Sequence, residues 1–307
     1  IFVKFSFSKY VWFDGKFVLG TKATVPVTTH AIHYGTSVFE GIRGYWNAKN
    51  LFIFRLKEHT KRFRNSGKFY HISSNFSDKQ IENAIINLCR KNKLRKSCYI
   101  RPFYFVGQYG INLHVTEKAP THIAIITFPF GDLFNKNGIS ATISKWRKFS
   151  DISTPTQAKM GGNYLNSILA TQDAKQRGFD EAILLDQSGD VSEAPGENIF
   201  LVKNNELITP PLTSSALNGI TRKSIITIAK DMGFKTKVRK VSKKELKLAD
   251  EIFLSGTAAE ITPVIQIDKK RIKASKVGNI TKLLMTAYSN IVMNKNKKYS
   301  QWLTKVY

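Results

Sequence analysis

Thr156-Gln157-Ala158-Lys159-Met160-Gly161-Gly162-Asn163-Tyr164 places one lysine in a run of small and uncharged residues, alone in this among the 36 lysines of the chain. A lysine kept away from water has a depressed pKa and becomes a neutral amine that can form a Schiff base. Gly161 and Gly162 let the backbone approach a ligand closely or adopt φ > 0. The segment by itself also fits a buried amphipathic lysine beside a tight turn. What stands elsewhere in the chain decides between the two readings.

The chain has 307 residues, enough for two domains or one large α/β unit, and 42% hydrophobic with 12% aromatic content marks it as globular. A net charge of +26 raises nucleic acid or an anionic membrane as partner. The excess is mostly lysine, spread through almost every segment beside abundant Asn, Ile and Phe, and no zinc-finger spacing, basic-aromatic motif or heptad accompanies it. A solvated basic surface is therefore expected, with no nucleic-acid and no membrane partner. Cys89 and Cys98 are the only cysteines and lack metal-binding spacing, so a reduced, cytoplasmic compartment is expected. The apolar start Ile1-Phe2-Val3 is broken by Lys4 and Lys9 and does not read as a signal peptide, although a chain beginning without Met leaves room for a removed segment, and no run reaches the roughly 20 apolar residues of a membrane span.

Along the first part, Val11–Phe13 and Phe17–Leu19 flank Asp14-Gly15, a strong hairpin signal. Leu51–Leu56 reads as a strand leading into a helix over Glu58–Phe69. Ser77-Asp78-Lys79-Gln80 reads as a capping box before the apolar stripe Ile81, Ala84, Ile85 and Leu88. With strands at Cys98–Val106 and Thr121–Phe128, this predicts a small α+β domain over 1–130 with two helices on about four strands. Gly131, Asp132, Asn135, Asn137 and Gly138 mark an interdomain loop over 131–140. A larger domain over 141–307 is expected to hold helices at Asn163–Arg177, Thr221–Met232 and Asn279–Met293. Its expected strands are Glu181–Leu185, Asn198–Lys203, Glu206–Ile208 and Glu251–Ser255.

Features of this second part converge with Lys159 on a phosphate-bearing aldehyde cofactor. Glu193 lies in the loop Val191-Ser192-Glu193-Ala194-Pro195-Gly196-Glu197-Asn198, where an acid can be aimed inward to keep a pyridine nitrogen protonated. Gly219-Ile220-Thr221-Arg222 opens a helix whose free N–H groups form an anion site. Ser255-Gly256-Thr257-Ala258-Ala259 supplies a second cluster of small residues after a strand. Singly, each is more often an ordinary cap or turn than a ligand site.

Together these runs resemble the branched-chain amino acid aminotransferases, class IV pyridoxal phosphate enzymes of fold type IV. Also similar to that family are Thr213–Arg222, His30-Ala31-Ile32-His33-Tyr34-Gly35-Thr36-Ser37-Val38-Phe39-Glu40-Gly41-Ile42-Arg43, Glu58-His59-Thr60-Lys61-Arg62 and Tyr99-Ile100-Arg101-Pro102. The resemblance implies a two-domain α/β (α+β) fold, a small α+β domain with a larger β-barrel-like domain. It implies pyridoxal 5'-phosphate as cofactor, held by Lys159 as a Schiff base, with Lys159 afterwards shuttling the substrate proton. Glu193 would pair with the pyridinium nitrogen and Tyr164 with the phenolic oxygen. Arg62, Gly219, Ile220, Thr221, Gly256 and Thr257 would bind the phosphate end, and Leu217 would pack on the ring.

The implied substrates are L-leucine, L-isoleucine and L-valine with their 2-oxo acids, exchanged against glutamate and 2-oxoglutarate. Tyr99 with the backbone at Thr257-Ala258 would meet the α-carboxylate, and Arg101 the distal carboxylate of glutamate. Phe39, Phe130 and Tyr164 would line the aliphatic pocket, joined by Tyr34, Ile111 and Leu113 of a neighbouring subunit. The resemblance thus implies a homodimer or a higher homo-oligomer, up to a hexamer. Arg43 would serve the site or a structural ion pair. Phe130 stands where the bacterial family often carries Trp, Leu133 where Tyr is often found, and Met160 where a smaller residue is common. Within the same fold, a D-amino-acid aminotransferase or an aminodeoxychorismate lyase is the alternative activity. A basic nucleic-acid-binding protein that kept the fold without its chemistry is the alternative class.

Overall fold

Asp14 and Gly15 both take positive φ (44° and 88°), the backbone that a two-residue hairpin turn needs, and they join β1 (Tyr10–Phe13) to β2 (Lys16–Leu19) in antiparallel register. The computed structural model describes residues 7–274 and 276–307, so the apolar start at Ile1-Phe2-Val3 and Lys4 lies outside the described residues. By its internal contacts the chain forms two units: one runs up to Gly131 and adds Ala158–Gly162 and Asn290–Tyr307, and the other takes Asp132–Gln157 and Asn163–Ser289. This differs from the expected division at 130 and 141. Two stretches expected in the larger domain, one of them carrying Lys159, pack with the first unit.

The first unit continues through α1 (His30–Tyr34), β3 (Ser37–Phe39), β4 (Ile42–Trp46), β5 (Leu51–Phe54), α2 (Leu56–Lys68), α3 (Asp78–Lys91), β6 (Cys98–Val106) and β7 (Thr121–Pro129). Its sheet has eight strands where about four were expected. They run β16 (Leu303–Lys305), β5, β4, β6, β7, β1, β2, with β3 also on β6, all antiparallel. The added strands are short: β3 has three residues, β4 is interrupted by Gly44, and β16 arrives from the far end of the sequence. None carries the alternation by which a strand is read locally.

The Ser77 capping box is formed in full, the hydroxyl accepting from Gln80 N–H and the Gln80 side chain from Ser77 N–H. Behind it Ile81, Ala84, Ile85 and Leu88 are buried in the core with Leu51, Ile53, Phe63, Ile100 and Tyr104. α2 buries Leu56, His59, Thr60, Phe63, Ser66 and Gly67, the spacing of a single helix face. A Cβ on Gly67 would run into the Tyr104 hydroxyl and the Ile72 carbonyl, so the helix can approach the sheet there only without a side chain.

The second unit holds β8 (Ile139–Arg147), α4 (Tyr164–Gln176), β9 (Glu181–Leu185), β10 (Asn198–Lys203), β11 (Glu206–Thr209), α5 (Ile220–Asp231), β12 (Thr236–Val238), α6 (Lys243–Lys247), β13 (Glu251–Gly256), β14 (Glu260–Ile267), β15 (Lys270–Arg271) and most of α7 (Asn279–Val292). Its sheet runs β12-β11-β10-β13-β14-β8-β9 with β15 on β14, parallel at β11·β12, β14·β8 and β8·β9 and antiparallel elsewhere. Gly178 and Gly233 follow α4 and α5 in left-handed backbone, as their places in the sequence predict. The core is Ile183, Leu185, Ile199, Leu201, Ile252, Leu254 and Val264 with their neighbours. No described helix is long and apolar enough to cross a membrane.

Candidate active site

In the first unit, Lys159 sits on a short stretch that runs beside residues 35–39. Phe39 N–H donates to the Lys159 carbonyl at 3.1 Å, Met160 bridges Val38, and Gly162 N–H donates to the Gly35 carbonyl at 3.2 Å. A Cβ on Gly161 would strike the Ser37 hydroxyl. The glycine pair therefore serves close approach of the chain to itself, and neither glycine has positive φ. From α2, the Ser66 hydroxyl accepts Lys159 N–H at 2.9 Å. The Lys159 ammonium lies 4.8 Å from the centre of the Phe39 ring.

Burial, helped by the positive charges of Arg62 and Arg101 and opposed by Glu40 and Tyr99, brings the Lys159 amine down from 10.5 to about 8. Such an amine is a competent nucleophile near neutral pH. Glu40, fully buried just after β3, receives Arg62 Nε at 2.6 Å, Arg62 Nη2 at 2.8 Å, His59 Nδ1 at 2.7 Å and Gly41 N–H at 3.2 Å. Burial alone would raise its pKa; Arg62 and His59 outweigh it and hold the carboxyl well below the usual range. His59 is pushed down by its own burial against the pull of Glu40, so it stays neutral and donates Nδ1–H.

On β6, Arg101 stacks at 4.5 Å on Phe39 and at 5.3 Å on Tyr99, and its Nη2 donates to the Tyr99 hydroxyl at 3.3 Å. Phe130 packs on Tyr99 at 5.3 Å and under Arg43 at 5.1 Å. The structure thus brings Lys159, Arg62, Phe39, Tyr99, Arg101 and Phe130 into one neighbourhood of the first unit. Tyr34 is on α1, largely exposed, its hydroxyl donating to the Ile111 carbonyl at 3.0 Å, and Ile111 and Leu113 are exposed beside it.

In the second unit, Glu193 is buried and its Oε2 accepts Leu217 N–H at 2.9 Å and Asn198 Nδ2 at 3.0 Å. Its Oε1 lies 2.7 Å from Lys148 Nζ. Burial would lower the Lys148 pKa; Glu193, with Tyr164 adding to it, overcomes this and raises it. Asn198 Nδ2 also donates to the Leu217 carbonyl at 2.8 Å, while Gln157 Nε2 donates to the Ala216 carbonyl and its Oε1 accepts Asn218 N–H. Leu217 is therefore held on both sides. Gly219 caps α5 through its backbone only, leaving the first-turn N–H groups around Ile220 and Thr221 with no side-chain cap. Gly256 ends β13 against Gly196-Glu197, and Thr257 and Ala258 form the turn that follows.

In the second unit, the uncapped first-turn N–H groups of α5 are donors suited to an anion such as a phosphate. Among the described residues of the second unit, the buried hydroxyls of Ser192, Ser214 and Ser255 have no hydrogen-bond partner, and in the first unit the buried Nε of Arg101 likewise has none. Lys148, Glu40, His59 and Asn198 were not singled out from the sequence. His59 and Glu40 lie inside recognisable motifs that could have drawn notice, whereas Lys148 is one lysine among many.

A family model for amino-transferase class IV matches residues 37–267. Curated branched-chain-amino-acid aminotransferases of Salmonella typhimurium and Escherichia coli K12 are each 42% identical to the chain over 301 residues, 97% of this chain and 97% of theirs. The solved branched-chain aminotransferase of Thermoproteus uzoniensis with norvaline is 40% identical, with a TM-score of 0.95 over 98% of this chain and 100% of that one. The branched-chain amino acid aminotransferase of Thermobaculum terrenum, solved in its PLP-form, is 35% identical, with a TM-score of 0.93 over 98% of this chain and 99% of that one.

Proposed function

Because the chain belongs to the class IV aminotransferases and, within them, to the branched-chain-amino-acid aminotransferase family, we propose that it moves the amino group between L-leucine, L-isoleucine or L-valine and 2-oxoglutarate. The observation that carries the reading is the Lys159 amine, brought to about 8 in a half-buried cluster with Arg62 and the fully buried Glu40.

Pyridoxal 5'-phosphate, when bound, supplies the electron sink for the substrate α-carbon. Lys159 would hold it covalently through Nζ, and the same Nζ, as a free amine, would carry the proton to and from the substrate α-carbon. Arg62 and the first-turn N–H groups of α5 at Ile220 and Thr221, with Gly219, Gly256 and Thr257, would hold the phosphate. Glu193 would keep a proton on the ring nitrogen, Tyr164 would serve the phenolic oxygen, and Leu217 would pack on the ring. Tyr99 and the Thr257-Ala258 backbone orient the α-carboxylate. Phe39 and Phe130 exclude water from an aliphatic side chain, and Arg101 takes the distal carboxylate when glutamate is bound.

The protein acts as a dimer or larger assembly. Exposed Tyr34, Ile111 and Leu113 support this, as does an apolar groove of about 800 Å³ lined in part by Val25, Ile32, Phe103, Phe105 and Ile126.

Amino transfer to 2-oxoglutarate from L-leucine and from D-alanine decides the activity. Exchange with L-leucine, and a visible absorbance band that vanishes in Lys159→Ala, is the expected result. Activity with the D-isomer alone would replace this reading with that of a D-amino-acid aminotransferase.

A further inference from the structure

Glu40 is the only carboxylate in contact with the Lys159 and Arg62 cluster among the interactions described above, and no role in the reaction has been given to it. It has no exposed surface, yet it is ionised and takes four N–H donors, two from one edge of the Arg62 guanidinium. A buried carboxylate is costly unless it is paired and fully hydrogen-bonded. An apolar residue would fill the same space without that cost, so the charge itself needs an explanation.

Two features of the geometry supply one. The first is grip. Arg62 Nε at 2.6 Å and Nη2 at 2.8 Å form a fork on the two Glu40 oxygens, which fixes the plane of the guanidinium. His59, one helical turn before Arg62 on α2, donates Nδ1–H at 2.7 Å to Oε2 and keeps the carboxylate from rotating away. The second is charge. The groups facing the Lys159 amine from the surrounding elements are Arg62 and His59 on α2, Tyr99 and Arg101 on β6, and Glu40 between β3 and β4. Two of these are permanent cations, and Glu40 is the one carboxylate that answers them.

We propose that Glu40, backed by His59, is a positioning residue with two duties: it orients Arg62 toward an anion, and it offsets the Arg62 and Arg101 charges at Lys159. The proposal rests on the reading of Lys159 and Arg62 given above. It concerns two residues that touch neither the substrate nor the cofactor in that reading.

The test uses the cofactor-loaded protein and follows visible absorbance of the lysine–cofactor linkage against pH, together with the dissociation constant of the cofactor. Glu40→Gln keeps the shape and removes the charge. Its titration midpoint moves down by about one pH unit, because a proton is harder to hold once the nearby anion is gone. Cofactor affinity falls about tenfold as the fork on Arg62 is broken. Glu40→Asp keeps the charge but shortens the arm, so the midpoint stays near that of the unsubstituted protein while affinity drops.

A Glu40→Gln protein with lowered thermal stability but unchanged midpoint and affinity would overturn the proposal, leaving Glu40 a structural residue only. If Glu40→Gln does not fold, Glu40→Asp decides alone: unchanged cofactor affinity overturns the orienting duty. An unsubstituted protein without the band, or a band that survives Lys159→Ala, would instead show that the site reading itself is wrong.

Discussion

Lys148 Nζ lies 2.7 Å from Glu193 Oε1, so the acid expected to serve a cofactor ring already carries a half-buried counter-ion from its own chain. The Glu193 carboxylate has its other oxygen filled by Asn198 and Leu217 N–H groups. Lys148 thus gives the Glu193 carboxylate an ion-pair partner before any ligand arrives.

Removing Lys148 alone strands that carboxylate. Lys148→Met is expected to cost about 3–5 kcal/mol of stability in urea unfolding near neutral pH, and Lys148→Arg much less. The contribution has a defined pH window. The folded pKa of Lys148 is raised, so its stabilisation is complete below the ordinary lysine value of 10.5 and fades as pH climbs through the higher folded value. A loss under about 1 kcal/mol in Lys148→Met would show that Glu193 is adequately held by its N–H donors.

Lys159 gives the opposite sign. Its folded pKa is lowered to about 8 from 10.5, so the protonated amine opposes folding, and stability of the cofactor-free protein rises with pH between those values. The same shift sets reactivity: cofactor capture by the apoprotein should accelerate up to a pH of about 8 and then level off. Stopped-flow absorbance reads this directly. A rate still climbing tenfold per unit at a pH of about 9.5, near the ordinary lysine range, would contradict a depressed amine.

Glu181 on β9 is buried, and desolvation pushes its carboxyl up to about 7 from 4.5. A carboxyl bound to its proton more tightly in the folded state favours folding at low pH, and that advantage is lost as pH rises through about 7. Glu181→Gln should therefore stabilise the protein at a pH of about 8 by up to about 3 kcal/mol and do little at a pH of about 4. Paired melting curves at the two pH values check it; equal effects at both would show that Glu181 titrates normally.

Gly41 is read through Tyr99, since a Cβ there would run into the Tyr99 hydroxyl. Gly41→Ala should displace the phenol that Arg101 donates to, raising KM for the amino acid about tenfold with a smaller change in kcat. Overpacking adds a stability loss of about 1–3 kcal/mol. An unchanged KM in a variant with lowered Tm would remove Tyr99 from substrate binding.

Local physics made much of this molecule legible in its sequence. Asp14-Gly15 specifies its turn because two adjacent positive-φ residues are needed there, and Ser77 with Gln80 closes its own cap within four residues. The secluded setting of Lys159 was legible because its neighbours are small and uncharged, although its glycines serve the segment at residues 35–39. The sheet count was not legible, since β3, β4 and β16 owe their strand character to partners far away in sequence. Nor was Lys148: nothing within its own segment marks it, and its meaning comes from Glu193, 45 positions on, at 2.7 Å.

β16 has a consequence for biosynthesis. The first unit's sheet is flanked at β5 by residues 303–305, and its core includes Ala158 and Met160. A ribosome emits residues at about 5–20 per second, so the nascent first unit waits roughly 10–30 s between Gly131 and the arrival of its last strand. During that interval β5 is an uncovered edge, open to pairing with another chain. Newly made protein should accordingly depend on chaperones more than refolded full-length chain does, and a fragment cut at residue 131 should aggregate.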